Sequence, residues 1–339
     1  MSALRQPIRP AGLPEGLEDH LEVVALTRPV PFRTAAQALS RTLGLGPGAR
    51  VALPVWGCTQ AAEALRRGGC DVVPLDVDPD TGRLDVSSVA REGRGFEALW
   101  CADVDGLPPD GPQLAALARR RDAVVVEEVR ESLGAMAQGF LPGAHADAVL
   151  LHGPDRAARI ASADAGTVEE AGRKLPPPSV EVGAPADPAL EEFLAALPAR
   201  VAGQRRLAAL WESAWGPLDG VRLPEYARGT RGTWPRYTVR VLFGSTAYPN
   251  AAWARQLHAR GVRVARPQLR LALGLDPDDP HVRRSFPGAV EYLRRALSFP
   301  CEAAVTLEEA ERTVYALDEL ARREAAGHER RPDGGRDAG

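Results

Sequence analysis

Five short apolar runs, RVALPV, DVVPLDV, FEALWCADV, AVVVEEV and DAVLL, follow one another between residues 50 and 151. Helix-like segments such as CTQAAEALRRGG and GPQLAALARRRD separate them. Strands spaced in this way leave room for a crossover helix after each strand, which implies a mainly parallel sheet with helices packed on it. In such folds functional groups gather beyond the carboxyl ends of the strands. The fold class is therefore α/β.

The flanks read differently. Residues 1–20 are rich in proline and glycine and predict an arm over the surface. RTAAQALSRTLGL has helical spacing and meets a stop at Gly46-Pro47-Gly48. KLPPPSVEVGAPADP (174–188) reads as a loop, and the long amphipathic stretch after it as helix, with a break expected at Pro198. From about residue 220 the order changes: RYTVRVLF is a strand, NAAWARQLHARG a helix, and TLEEAERTVYALDELARRE a closing helix opened by Thr306 with Glu309 as capping box. These patterns predict a large α/β domain at 21–205, a smaller α+β domain at 206–324 and a disordered tail at 325–339.

Composition narrows the function classes. A net charge of −3 over 339 residues gives no general attraction to nucleic acid or to an anionic membrane. Cys58, Cys70, Cys101 and Cys301 are widely spaced and predict reduced, buried thiols. The N-terminus lacks a charged-then-apolar signal, and no apolar run approaches the ~18 residues of a membrane span. A cytoplasmic protein is expected. The basic residues are almost all arginine, and Lys174 is the only lysine.

One stretch stands out. HGPDRAARIASADAG, residues 152–166, follows the apolar run DAVLL, and the TVEE after it reads as the start of another strand. A loop of that length between core strands marks a candidate site. It carries two arginines, two aspartates and a histidine, and no lysine.

LGLGPGARVALPVWGCTQAAEALRRGGCDVVPLDVDPDTGRLD, AVVVEEVRESLGA and FPGAVEYLRRALSFPCEAAVTLEEAERTVYAL together resemble the DegT/DnrJ/StrS sugar aminotransferases. The resemblance covers about residues 20–322. It implies a type I, aspartate-aminotransferase-like fold, with a large, mainly parallel domain and a smaller C-terminal one. It also implies descent from enzymes that use pyridoxal phosphate. In that family a catalytic loop carries the Schiff-base lysine. Here Asp147 matches the first anchor of the loop, and Asp164 and Gly166 the last. The lysine position then falls on Ala157 and a phosphate-binding serine position on His152, and a slip of one or two residues would give Arg156 or Asp155. None of these forms an imine.

The other family positions change too. The acid that pairs with the pyridinium nitrogen is Glu128, and the glutamine after it is Glu131. The Gly-Thr pair that helps to hold the phosphate is Arg33-Thr34, the ring-side aromatic is Trp56, and the family's usual threonine beyond it is Ala61. No Asn-x-Arg-Met motif is found in 175–195. The resemblance, with these departures, implies that no cofactor is carried, and that pyridoxal or pyridoxamine phosphate would bind only noncovalently.

His152, Glu128 and Glu131 are the candidate catalytic set, for acid–base work or a weak metal site; the plainer reading makes them polar replacements in an emptied pocket, with no metal. Arg33, Thr34, Trp56, Arg156 and Arg159 are the candidate ligand-binding residues, against the plainer reading of solvated surface for the arginines and core for the tryptophan. The leading functional expectation is a repurposed homologue, not a working transaminase, in a bacterial sugar or natural-product pathway. It would bind a small molecule or partner an active paralogue, with a homodimer as the default assembly. The alternatives are a pyridoxamine-phosphate enzyme acting without an internal lysine imine, as dehydratases of the family do, and cofactor-free or metal-assisted catalysis by His152 and the two glutamates.

Overall fold

The computed structural model describes residues 17–329 apart from 22, 24, 155–156, 176–187 and 245. In chain order its first elements are β1 (Ala25–Leu26), α1 (Phe32–Thr42), β2 (Arg50–Pro54), α2 (Thr59–Arg67), β3 (Asp71–Leu75), α3 (Val86–Arg91), β4 (Ala98–Ala102), α4 (Gly111–Arg119), β5 (Val124–Val129), β6 (Ala148–His152), β7 (Ala158–Ser162) and α5 (Ala165–Lys174). The strands form one sheet in the order β1-β7-β6-β5-β4-β2-β3. The run from β3 to β6 is parallel, while β7 is antiparallel to β6 and β1 to β7.

The apolar runs are nearly continuous because the sheet is covered on both faces. Val51, Leu53, Trp100 and Val126 pack under α1 and α2 with Leu39 and Leu65. Ala52, Leu99, Cys101 and Val125 pack on the other face against Val89 of α3 and Leu114 of α4. All four cysteines are buried free thiols, as their spacing predicts. Helix α1 ends at Thr42, short of Gly46, and Leu45 N–H closes back on Ser40 O at 2.8 Å.

The expected loop at 152–166 is corrected. It contains a strand: β7 pairs with β6 in the register Leu151↔Arg159, and Gly153 N–H donates to Ala157 O at 2.9 Å. TVEE does not start a strand either. Asp164 accepts the N–H groups of Gly166 and Thr167 at 3.1 and 3.0 Å and so caps helix α5, which contains TVEE.

Beyond this sheet come α6 (Pro188–Trp215), β8 (Val221–Arg222), β9 (Arg236–Val241), α7 (Pro249–His258), α8 (Pro280–Ser285), α9 (Pro287–Arg295), β10 (Ala296–Pro300) and α10 (Leu307–Glu329). The three strands form an antiparallel sheet in the order β10-β9-β8. Trp211, Trp215, Tyr237 and Phe299 fill its core.

Helix α6 is unbroken at Pro198. Leu194, Leu197 and Val201 on either side are buried against Val149 and Leu151, and this packing holds the helix through the missing N–H. The same helix passes through residues 205 and 206. Thr306 caps α10 as its sequence predicts, accepting Glu309 N–H at 3.2 Å, but the Glu309 carboxylate turns to Arg263. Residues 325–329, expected in the tail, belong to α10; 330–339 lie outside the described residues. Of the expected arm, 1–16 lie outside the described residues, and Leu17 is fully buried rather than lying over the surface. Most of the expected loop at 174–188 is likewise outside them. No helix among the described residues is long and apolar enough to cross a membrane.

Candidate functional site

Strands β4, β5 and β6 are parallel and adjacent, so their carboxyl ends open on one side. Glu128 lies there on β5 and His152 closes β6. Glu128 is 1% exposed and fully engaged. Its Oε1 accepts the Trp100 indole N–H at 2.6 Å. Its Oε2 accepts Arg130 Nε at 2.8 Å and also Arg130 Nη2. His152 Nε2 stands 3.6 Å from the same oxygen, too long for a hydrogen bond, and is itself buried without a hydrogen-bond partner among the described residues. Burial would push the Glu128 carboxyl up, but the Arg130 charge, aided by His152, outweighs it and holds the group down at about 2.

The return of Arg130 onto Glu128 has a local cause. Asp103, in the turn after β4, accepts three consecutive backbone N–H groups with one oxygen: Arg130 at 2.9 Å, Glu131 at 2.8 Å and Ser132 at 2.7 Å. This bends the chain sharply after β5. Arg130 Nη2 also donates to Cys58 Sγ at 3.4 Å, at the start of α2. The Cys58 thiol is pushed far up by burial and by the nearby Glu128 charge, which makes it inert rather than nucleophilic.

The candidate residues divide. His152 and Glu128 are brought together, with the Phe32 ring 5.0 Å from the imidazole, so the first turn of α1 also reaches this point. Glu131 does not join them. Its Oε2 accepts Arg236 Nη2 at 2.6 Å, and Arg236 Nε binds Asp105 at 2.9 Å, which ties it to the smaller sheet. Arg33 is exposed, with Glu63 3.9 Å away, and Thr34 is half-buried in the first turn of α1. Trp56 donates to Gln268 O at 3.1 Å and packs on Tyr292 at 4.8 Å between ring centres. Arg159 is fully buried, not solvated, and its Nη1 donates to Ala157 O at 3.4 Å. Arg156 lies outside the described residues. No cluster that could hold a metal ion occurs among the described residues. Sequence reasoning missed Arg130, Trp100 and Asp103; the only available signal was that Arg130 stands two positions after a strand-end carboxylate, the spacing of one strand face.

Residues 33–151 match the sequence profile of the DegT/DnrJ/EryC1/StrS aminotransferase family. GDP-perosamine synthase of Escherichia coli O157:H7 is 26% identical over 106 residues, which are 31% of this chain and 29% of that protein. The matched stretch thus spans under a third of this curated relative. A DegT DnrJ EryC1 StrS aminotransferase from Brucella abortus shares the fold with a TM-score of 0.74 at 20% identity, over 91% of this chain and 89% of its own. A proposed sugar aminotransferase of Streptococcus pneumoniae, solved in a PMP form, shares it with a TM-score of 0.76 at 14% identity, over 93% and 91%.

These findings contradict the expectation that no cofactor is carried: the family matched by residues 33–151 is one of aminotransferases, and a solved protein of the same fold is a PMP form. The residues present do not, however, fit a lysine-linked cofactor. The only lysine, Lys174, sits at the end of α5, where its Nζ donates to Arg41 O at 3.0 Å and lies 2.9 Å from Glu170. Nor is Glu128 open to a ring nitrogen, since Arg130 holds it. Residues 33–151 are thus similar to the DegT/DnrJ/EryC1/StrS aminotransferase family, and the fold of the chain is that of solved aminotransferases.

Proposed function

We propose that this chain does not run lysine-dependent transamination and that the site at the ends of β5 and β6 binds a small molecule of a sugar or natural-product pathway. The observation that supports this is the placement of Lys174, whose amine is engaged on α5 with Glu170 and Arg41, while the turn between β6 and β7 carries Ala157. The names of the curated relatives, GDP-perosamine synthase among them, suggest a nucleotide sugar as the ligand class. Pyridoxamine phosphate, which needs no lysine to remain bound, is the cofactor form compatible with this reading.

The test is the first half of transamination. Added pyridoxal phosphate and L-glutamate should give no pyridoxamine phosphate above a protein-free control. Conversion faster than the control would overturn the reading. We further propose a homodimer as the working assembly, with an active paralogue as the alternative partner. Light scattering at micromolar concentration checks it, and a monodisperse monomer would refute the dimer.

A further inference from the structure

We infer that Arg130 is a built-in occupant of Glu128: its guanidinium takes the place that the protonated ring nitrogen of a pyridine-type ligand would need, and so sets which ligands the site at the ends of β5 and β6 accepts. Three contacts fix the guanidinium. Nε and Nη2 are on Glu128 Oε2, and Nη2 is on Cys58 Sγ at 3.4 Å. The backbone of Arg130 is tied to Asp103 at 2.9 Å, so the side chain starts from a fixed point. Gly57 (φ +92°) leaves room beside it: a Cβ built there would stand 4.0 Å from Arg130 Nη1.

The layering supports the same conclusion. The Glu128 side chain is 1% exposed, while Arg130 and His152 are 26% and 23% exposed. A ligand approaching from solvent therefore meets the guanidinium or the imidazole before the carboxylate. Oε1 offers no second route, because the Trp100 indole already donates to it. A cationic ring nitrogen would have to displace a charge-assisted pair in which two guanidinium N–H groups share one carboxylate oxygen. A ring without that nitrogen loses nothing by comparison.

This inference rests on a pyridine-type ligand using the site, as the PMP form of a solved protein of the same fold suggests, and not on the loss of transamination. Turnover with glutamate would sink the proposed function and leave this inference standing. The experiment compares pyridoxamine phosphate with its analogue that has a benzene ring in place of the pyridine, by calorimetry on the full chain. The natural chain is expected to prefer neither by more than about threefold. Arg130→Ala is expected to bind pyridoxamine phosphate at least tenfold tighter than the natural chain and to prefer it over the benzene analogue. Adding Glu128→Gln to Arg130→Ala should remove that preference.

Should Arg130→Ala fail to fold, Arg130→Gln keeps a hydrogen-bond donor for Glu128 without the charge and should show the same preference. A tenfold preference for the pyridine ring in the natural chain would overturn the inference. So would an Arg130 variant that binds pyridoxamine phosphate no tighter than the natural chain.

Discussion

Glu127 and Glu128 are neighbours on β5, and the fold drives their carboxyl groups in opposite directions. Alternation along the strand sends them to opposite faces of the sheet. Glu128 meets Arg130 and is held down at about 2. Among the described residues Glu127 finds only the Gly143 N–H, at 3.1 Å, and burial raises it to about 8.

The raised group makes stability fall as pH rises. Between the unfolded value near ~4.3 and the folded value of about 8, the folded chain keeps a proton that the unfolded chain has lost. Stability should therefore decline across that window at up to about 1.4 kcal/mol per pH unit from this group, then level off. Glu127→Gln should flatten the decline, as read from urea unfolding at several pH values. An unchanged slope would show that Glu127 is ionised in the folded chain.

The depressed group acts at the acid end. Glu128 contributes stability that is present above its unfolded value near ~4.3 and is lost as pH falls toward about 2. Glu128→Gln should remove that acid limb and cost about 3 kcal/mol at neutral pH, because it leaves the partly buried Arg130 without its carboxylate. Combining it with Arg130→Met, which removes both charges, should recover most of the loss. A double variant as weak as the single would count against the ion pair as the cause.

Ala157→Lys tests the turn between β6 and β7. Ala157 stands just before β7, and its carbonyl accepts Gly153 N–H at 2.9 Å. With pyridoxal phosphate, the single variant should show little imine absorbance, because Arg130 remains on Glu128. Adding Arg130→Ala should raise it, since a ring held beside the amine reacts at high effective concentration. Strong absorbance from Ala157→Lys alone would show that Arg130 is no obstacle.

Gly106 is where the larger sheet meets the chain leading into β9. Its φ is +75°, and a Cβ built there would fall 2.1 Å from Thr233 Oγ1 and 2.8 Å from Trp234 N. Thr233 in turn donates to Glu131 O at 2.6 Å. Gly106→Ala should cost at least about 2 kcal/mol, combining a left-handed backbone with a clash against fixed neighbours. A melting temperature within a degree of the natural chain's would refute the clash.

The strands from β2 to β6 are legible in the sequence because a sheet buried on both faces leaves few polar interruptions. Strand β7 is not, because ARIAS carries Arg159, and a buried arginine cannot be told from a surface one by its letter. TVEE has the letters of a strand but follows Asp164, whose cap settles the segment as helix. At the site, Glu128 and His152 can be placed because both end parallel strands. Arg130 could not be found in a chain so rich in arginine, since its position depends on the three N–H groups gathered by Asp103. Glu131 sits three residues from Glu128, yet its partner Arg236 is 105 residues away, a distance that no local pattern encodes.

Helix α6 spans about 42 Å at 1.5 Å per residue and is anchored at both ends in different cores. Leu190, Leu194 and Leu197 are packed with Val149 and Leu151, and Trp211 and Trp215 with Tyr237 and Phe299. It acts as a rigid beam between the two sheets. One continuous helix thus joins the core beneath β6 to the core of the smaller sheet. Heat and denaturant should accordingly melt both sheets in one transition, and a protease should find no cut site along the beam until the whole molecule opens.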